Sequence, residues 1–425
     1  MLSLLQRFKT RATHLPDSHI PSMAAAEAVT LSKHLQLPAE LVNLIIDELR
    51  YDKRSLSSCS RVCRSWLPRS SVHIFHTFSI SCSPNNASAF LPLIPSSARV
   101  LSSIRELVVT LTPANITVMT TILERLPRLK TLWLLSLDEW SDTSLPMVLP
   151  AGRTVNFVQF SLFPVDVASY FLDLFASVDT LEVRSADSPV RSFEPSMHRV
   201  KHLDIELESD GTLVDIGSLV DPAALESVKL DMCSSDSYHA RQASAELVDR
   251  FLQSIGRNIK HFEYAQPKGG WLTRPSGTQS SCRWLLLNIA YVRTASAIPG
   301  LAKCGRLESI TVTTPKTYYS SFQALWLETL VILSSLPPQT KRVKLITGCE
   351  HFSVFDTGSS LFLEGMKGLA WDEFCKALEH CESLNVLEIA ACNSREPIYL
   401  AKQQKAQEAI LEQLPLRLRK ITSFL

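Results

Sequence analysis

Among 425 residues, the side chains best suited to covalent or metal chemistry are few and badly spaced for it. His198 and His202 stand four apart, but they flank the start of a strand-like pattern and lack the Glu that a zinc-protease helix carries between its histidines. Cys59 and Cys63 could meet across one helical turn, yet two thiols without further ligands make a poor zinc site. The densest thiol group is Cys375, Cys381 and Cys392 with His380; the first two belong to a helical pattern and the third follows a strand, so the spacing does not gather them on one ion. No GxGxxG, GxxxxGK, GxSxG or HExxH string occurs, and the 13 glycines are about 3% of the chain against a usual ~7%. No catalytic residue, metal or cofactor is expected. The chemistry left is that of surfaces, in exposed apolar stripes and carboxylates set on repeated strands.

Those surfaces need elements to carry them. Lys plus Arg at 43 against Asp plus Glu at 42 gives a formal charge of +1, so no global field draws the protein onto nucleic acid or anionic lipid. Hydrophobic residues at 45% and charged residues at 20% describe a folded chain. Ten cysteines are too sparse for a disulfide scaffold, and no apolar run approaches the ~18 residues of a membrane span. The expected compartment is the cytoplasm or nucleus. Residues 1–34 read as a disordered leader; its Arg7, Lys9 and Arg11, with no acid before Asp17, also fit the opening of a mitochondrial transit peptide.

Residues 35–80 read as a small helical unit. Pro38 stands at a helix start, with Leu41, Leu44, Ile45, Ile46 and Leu49 at helical spacing. Ser55 is the expected N-cap of a second helix carrying Leu56, Cys59, Val62, Cys63, Trp66 and Leu67, with Pro68 near its end. A Ser-, Pro- and Asn-rich linker follows at 81–99. From 100 to 425 one phrase recurs, a basic or polar residue and then a strand alternation, aligning Leu107, Leu132, Leu181, Leu203, Val228, Phe262, Ile310, Val343, Leu387 and Ile421. Spacings are mostly 22 to 34 residues, and copies around Val155 and Leu286 are expected to fill gaps of 49 and 48. Amphipathic helical segments lie between the strands. The pattern, with 62 leucines, predicts an α/β class: a curved solenoid with parallel strands on its concave side.

The stretch LPAELVNLIIDELRYDKRSLSSCSRVCRSWLPRSSVHIF, with its Leu-Pro start, Ile-Ile-Asp pattern and Val-Cys-Arg-Ser-Trp signature, resembles an F-box of the fungal type. The array after it resembles the irregular leucine-rich repeats that often follow that motif. Where the family pattern has an apolar residue before Val-Cys, this chain has Arg61, which could loosen helix packing or simply face water. The resemblance implies a non-catalytic substrate receptor of a cullin-RING, SCF-type ubiquitin ligase, gripping a Skp-family adaptor through the F-box. Leu37, Pro38, Leu41, Ile45, Val62 and Trp66 are the expected adaptor-binding residues, and a protein-binding scaffold or inhibitor without ubiquitin transfer is the alternative.

By the period-two rule, the residues between the inward apolar positions project onto the open sheet face: Val108, Trp133, Glu182, Asp204, Lys229, Glu263, Thr311 and Glu388, with Glu206 and Asp231 one step further. Six of these ten are acidic. The expected partner there is a protein substrate with a basic segment, met by Trp133, Glu182, Asp204, Glu206, Asp231, Glu263 and Glu388. The structural alternative is an ordinary solvated strand face, and no nucleic acid or membrane is expected as a partner.

Overall fold

The computed structural model describes residues 37–80, 98–136, 140, 152–185, 196–207, 212–232, 238–265, 299–314, 326, 329–347, 370–391 and 397–424. The expected leader, nearly all of the linker, the strand copy around Leu286, and Cys392 lie outside them. The chain divides into two units at Phe75/His76.

In the first unit three short helices follow one another: α1 (Ala39–Glu48), α2 (Lys53–Val62) and α3 (Leu67–Ile74). Pro38 precedes α1 with φ −49° and ψ 142°, and its carbonyl accepts the first helical bond from Val42 N–H at 3.1 Å. The α2 cap differs from expectation. Asp52 is the N-cap, its carboxylate accepting from the Arg54 and Ser55 amides, while the Ser55 hydroxyl donates to the same carboxylate at 2.6 Å. The helix also stops at Val62, not at Leu67, and Pro68 opens α3 in the first turn, where a missing N–H costs nothing. Arg61 lies exposed in the last turn of α2, a favourable place for a cation beside the helix carbonyls, so its departure from the family pattern disturbs no packing.

The second unit is an open, all-parallel sheet of twelve strands in strict sequence order. These are β1 (Thr77–Ile80), β2 (Glu106–Leu111), β3 (Thr131–Ser136), β4 (Arg153–Ser161), β5 (Phe175–Arg184) and β6 (Val200–Leu207). They continue as β7 (Ser227–Met232), β8 (His261–Ala265), β9 (Ser309–Thr314), β10 (Arg342–Thr347), β11 (Val386–Ala391) and β12 (Thr422–Phe424). The connecting helices include α4 (Ala98–Ser103), α5 (Ile116–Glu124), α6 (Val165–Leu172), α7 (Leu213–Ser218), α8 (Tyr238–Ile255), α9 (Pro299–Ala302), α10 (Trp371–Glu379), α11 (Pro397–Gln413) and α12 (Leu416–Ile421). Parallel neighbours joined by crossovers in chain order make an α/β solenoid.

One buried row crosses the sheet in register, from Phe78 through Leu107, Leu132, Val158, Leu181, Leu203, Val228, Phe262, Ile310 and Val343 to Leu387. The strand expectations fare unevenly. The copy expected around Val155 is β4, on which Val155 and Val158 are both buried; Val155 pairs with Val178, and Val158 is the residue that joins the row between Leu132 and Leu181. At the C-terminus, Ile421 ends α12 and it is Thr422 that pairs with Leu387, one residue later than the repeat spacing predicts. Among the described residues β8 and β9 are direct neighbours, paired from His261↔Ser309 onward. The sheet also starts earlier than 100, since β1 falls within the stretch assigned to the helical unit and pairs with β2.

The polar residue that opens each repeated phrase forms a rim. Lys201 in β6 and Glu226, Lys260, Glu308 and Lys341, each one residue before the next strands, follow one another, and from Glu226 on each backbone amide donates to the carbonyl of the one before it. Lys260 bridges Glu226 and Lys341 bridges Glu308, both at 3.4 Å, exposed pairs worth about 0–1 kcal/mol each. Behind the sheet, Gly300 lets α9 lie on α8: a Cβ there would sit 2.8 Å from the Asp249 carbonyl oxygen, and the Gly300 amide donates to the Asp249 carboxylate.

His198 forms an isolated parallel bridge with Val220, its ring buried 3.5 Å from the Ser169 hydroxyl and 3.9 Å from Asp173. Burial pushes its imidazole below the ordinary range, against a smaller upward pull from Asp173. The folded state therefore binds this proton less readily than the unfolded chain, and the stability it protects is complete above about pH 6.5 and lost as pH falls below it. The melting midpoint of the full chain is expected to drop between pH 7.5 and pH 5.5, and to drop less in His198→Gln. An equal drop in both would assign the effect to other groups.

Candidate functional site

Two surfaces hold the candidate residues. On α1, the sequence AELVNLIIDE carries two apolar stripes. Val42 and Ile46 are buried, whereas Leu37, Leu41, Leu44 and Ile45, at i, i+4, i+7 and i+8, are exposed, with Leu41 at 46% and Ile45 at 45%. Consecutive residues point about 100° apart on a helix, so one stripe serves the unit's interior and the other faces out. Pro38 is exposed beside it. Of the two expected contacts on the later helices, Val62 is 62% exposed at the end of α2, and Trp66 is half-buried just before α3, its carbonyl accepting from Ser70 N–H. Tyr51, in the turn after α1, is also exposed, with the Arg50 guanidinium 4.8 Å above its ring.

A polar clamp fixes α1 against α3. The Asp47 carboxylate accepts from Arg69 Nε at 2.6 Å and Nη2 at 2.5 Å, and from His73 Nε2 at 2.7 Å. The Arg69 hydrogen bond is the main reason that the Asp47 carboxyl is held down to about 2, against a smaller upward push from burial. Its folded value lies below the unfolded ~3.9, so its contribution is present above about pH 4 and lost as pH falls toward 2. Because the groups are partly exposed, Asp47→Asn is expected to cost about 1 kcal/mol. Faster amide exchange confined to 39–74 would show it; unchanged exchange would mean that the clamp adds nothing.

On the sheet, alternate residues left out of the core form two in-register rows. The central row runs from Val108 on β2 through Trp133, Gln159, Glu182, Asp204, Lys229, Glu263, Thr311 and Lys344 to Glu388 on β11. The row beside it includes Leu135, Ser161, Arg184, Glu206 and Asp231. All seven residues expected to meet a substrate lie on these two rows. The face has two regions. Over β2–β4 the large side chains are apolar, Val108, Leu135 and Trp133, whose ring lies 5.8 Å from that of Phe157, with Gln159 and Ser161 beside them. Over β5–β11 six carboxylates stand among three cations.

Sequence reading missed those cations as partners. Arg184 donates to Glu182 and lies 3.5 Å from Glu206; Lys229 donates to Asp204 at 2.8 Å; Lys344 lies 3.8 Å from Glu388. Burial alone would depress the Lys229 ammonium, but the bonded Asp204 holds it above its ordinary value. Glu263 makes no hydrogen bond or ion pair among the described residues. Half-burial raises its carboxyl, with Lys229 and Lys344 pulling it down and Asp204 and Asp231 pushing it up. Lys344 was legible by the same alternation that gave Glu388; Gln159 was hidden because the buried residues Val155 and Val158 of β4 stand three apart.

The reactive side chains stay apart. Cys63 is exposed just past α2, its thiol lowered chiefly by the Ser65 hydroxyl, and Cys59 is half-buried on that helix. Burial pushes Cys381 up to about 11 and Cys304 up to about 12, which keeps both as neutral thiols. Among the described residues no three His, Cys, Asp or Glu are grouped to hold a metal ion, and no helix is long and apolar enough to cross a membrane. Compared with known proteins, the chain matches no protein-family model and no curated protein.

Proposed function

We propose that the chain is a non-catalytic receptor subunit of a cullin-RING, SCF-type ubiquitin ligase, with the F-box-like unit 37–75 docking on a Skp-family adaptor and the sheet face receiving a target protein. The observation that carries the reading is the outward stripe of α1. A helix of ten residues that exposes Leu41, Leu44 and Ile45, with Leu37 exposed just before it, while burying Val42 and Ile46 has a second apolar face with no partner among the described residues of the unit. An amphipathic helix with such anchors suits a hydrophobic groove between helices of another protein, and covering it would relieve a unit too small for a large core of its own. Arg61 is exposed, which supports an F-box-like unit able to dock over a scaffold that has lost its adaptor.

The test is capture of a purified Skp-family adaptor by the full chain. Wild type is expected to retain it, and Leu41→Ala to weaken retention about tenfold through reduced apolar burial. Failure of wild type to retain the adaptor would refute the reading.

A further inference from the structure

The open face of the sheet is apolar at one end and acidic in the middle, and the parallel in-register order fixes the distance between the two regions. Resting on the receptor reading above, we propose that β3–β8 bind an extended basic segment of the target across the strands, its apolar anchor on Trp133 and Phe157 and its Lys or Arg side chains on Glu182, Asp204 and Glu263.

Three observations commit the face to this occupant. First, Trp133 and Phe157 are adjacent in space on β3 and β4, half-exposed, and flanked by Leu135 and Val108, so the apolar end is a continuous platform and not a scattered set. Aromatic platforms of this kind are favoured anchors for a buried contact. Second, on the two rows of this face six carboxylates stand with three cations, Arg184, Lys229 and Lys344, an excess of three negative charges that complements a positively charged partner. Third, Glu263 has a half-buried carboxylate with no cation bonded to it among the described residues. A Lys or Arg of the target would supply that partner.

The spacing gives the segment a length. Strands stand about 4.8 Å apart, so Glu182 on β5 is about 10 Å from Trp133, and Glu263 on β8 about 24 Å. An extended chain advances about 3.4 Å per residue, which puts the basic residues about three to seven positions from the apolar anchor. A net-basic protein surface without that spacing would meet the acids or the aromatic platform, but not both.

The probe is a fluorescein-labelled twelve-residue peptide with one Leu and four Lys or Arg placed three to seven residues from it, titrated into the full chain and followed by anisotropy. Wild type is expected to bind. Trp133→Ala should weaken binding about fivefold at low and high salt alike, whereas Glu182→Gln with Glu263→Gln should weaken it about tenfold at ~0.05 M salt and much less at ~0.3 M, where charge is screened. Glu412→Gln, on a helix, should change nothing. On the peptide side, replacing Leu by Ser or moving it next to the basic cluster should each weaken binding about fivefold, a readout that does not depend on how a variant folds. No binding by wild type, or equal binding of a peptide with Glu in place of Lys and Arg, would overturn the proposal. So would equal binding of the peptide with displaced Leu. Adaptor capture is read separately through α1, so loss of peptide binding with retained adaptor would sink this inference alone.

Discussion

Leu41→Asp together with Ile45→Asp is expected to abolish adaptor capture, lowering affinity at least a hundredfold, while leaving the melting midpoint of the full chain unchanged. Each side chain is nearly half exposed in the free protein, so a carboxylate there remains hydrated and costs the fold little. In a complex the balance reverses. Apolar burial against the adaptor stabilises the complex by about 1 kcal/mol for each half-buried residue, and a carboxylate in its place must leave water for an apolar groove, a penalty of several kcal/mol. Ile46→Asp is the informative contrast. Its neighbour's side chain faces water but Ile46 is wholly buried, so that change should unfold the helical unit and remove capture by a different route, visible as reduced amide protection over 39–74. If Leu41→Asp with Ile45→Asp captured adaptor as well as wild type does, the outward stripe would have no part in docking.

The largest stability effect is expected in the sheet unit, at Phe163. Its ring lies 5.6 Å from Trp140, 5.7 Å from Phe160 and 6.4 Å from Phe171, and Phe171 meets Tyr170 edge-on at 5.2 Å. The polar ends of this cluster are satisfied: Trp140 Nε1 donates to Ser136 Oγ at 2.6 Å, and the Tyr170 hydroxyl bonds Thr120 at 3.0 Å. These aromatic side chains have little freedom to collapse into a void. Phe163→Ala is expected to cost about 3–5 kcal/mol, measured as a shift in the urea midpoint. The residue before it should behave in the opposite way. Leu162 is exposed and holds φ 62°, a left-handed conformation that strains any residue with a Cβ, so Leu162→Gly should be neutral or stabilising by up to about 1 kcal/mol. A small effect at Phe163 would show that the solenoid relaxes around the gap.

Much of the sheet was legible because a strand with one buried face writes its period directly into the chain. Leu107, Leu132, Leu181, Leu203, Val228, Phe262, Ile310, Val343 and Leu387 all fall on the one buried row, and the residues after them all fall on the open face. The period fails where backbone geometry intervenes. In β4 the buried residues Val155 and Val158 stand three apart and not two, and at the C-terminus α12 runs into the strand and takes Ile421 with it. In the helical unit, Asp52 and Ser55 both have capping chemistry three residues apart, and only the backbone direction decides between them. Pro68 equally fits the end of one helix or the start of the next.

The candidate surfaces were legible to a lesser degree, for a related reason. Alternation tells which face a residue takes, but not which residue stands beside it, and Arg184, Lys229 and Lys344 became partners of Glu182, Asp204 and Glu388 only once the strands lay in parallel order. Likewise, helical spacing marks Leu41, Val42, Ile45 and Ile46 alike as apolar. It takes the packing of α1 within its unit to turn Val42 and Ile46 inward and leave Leu41 and Ile45 outside.

The most direct measurement is hydrogen–deuterium exchange of the full chain with and without a purified Skp-family adaptor. Slowed exchange over 39–49 and around Val62 to Trp66 on adding adaptor, with the amides of α5 and α10 unchanged, is the result that docking through the outward stripe of α1 predicts. Protection confined to the sheet unit, or no change anywhere at saturating adaptor, would contradict it.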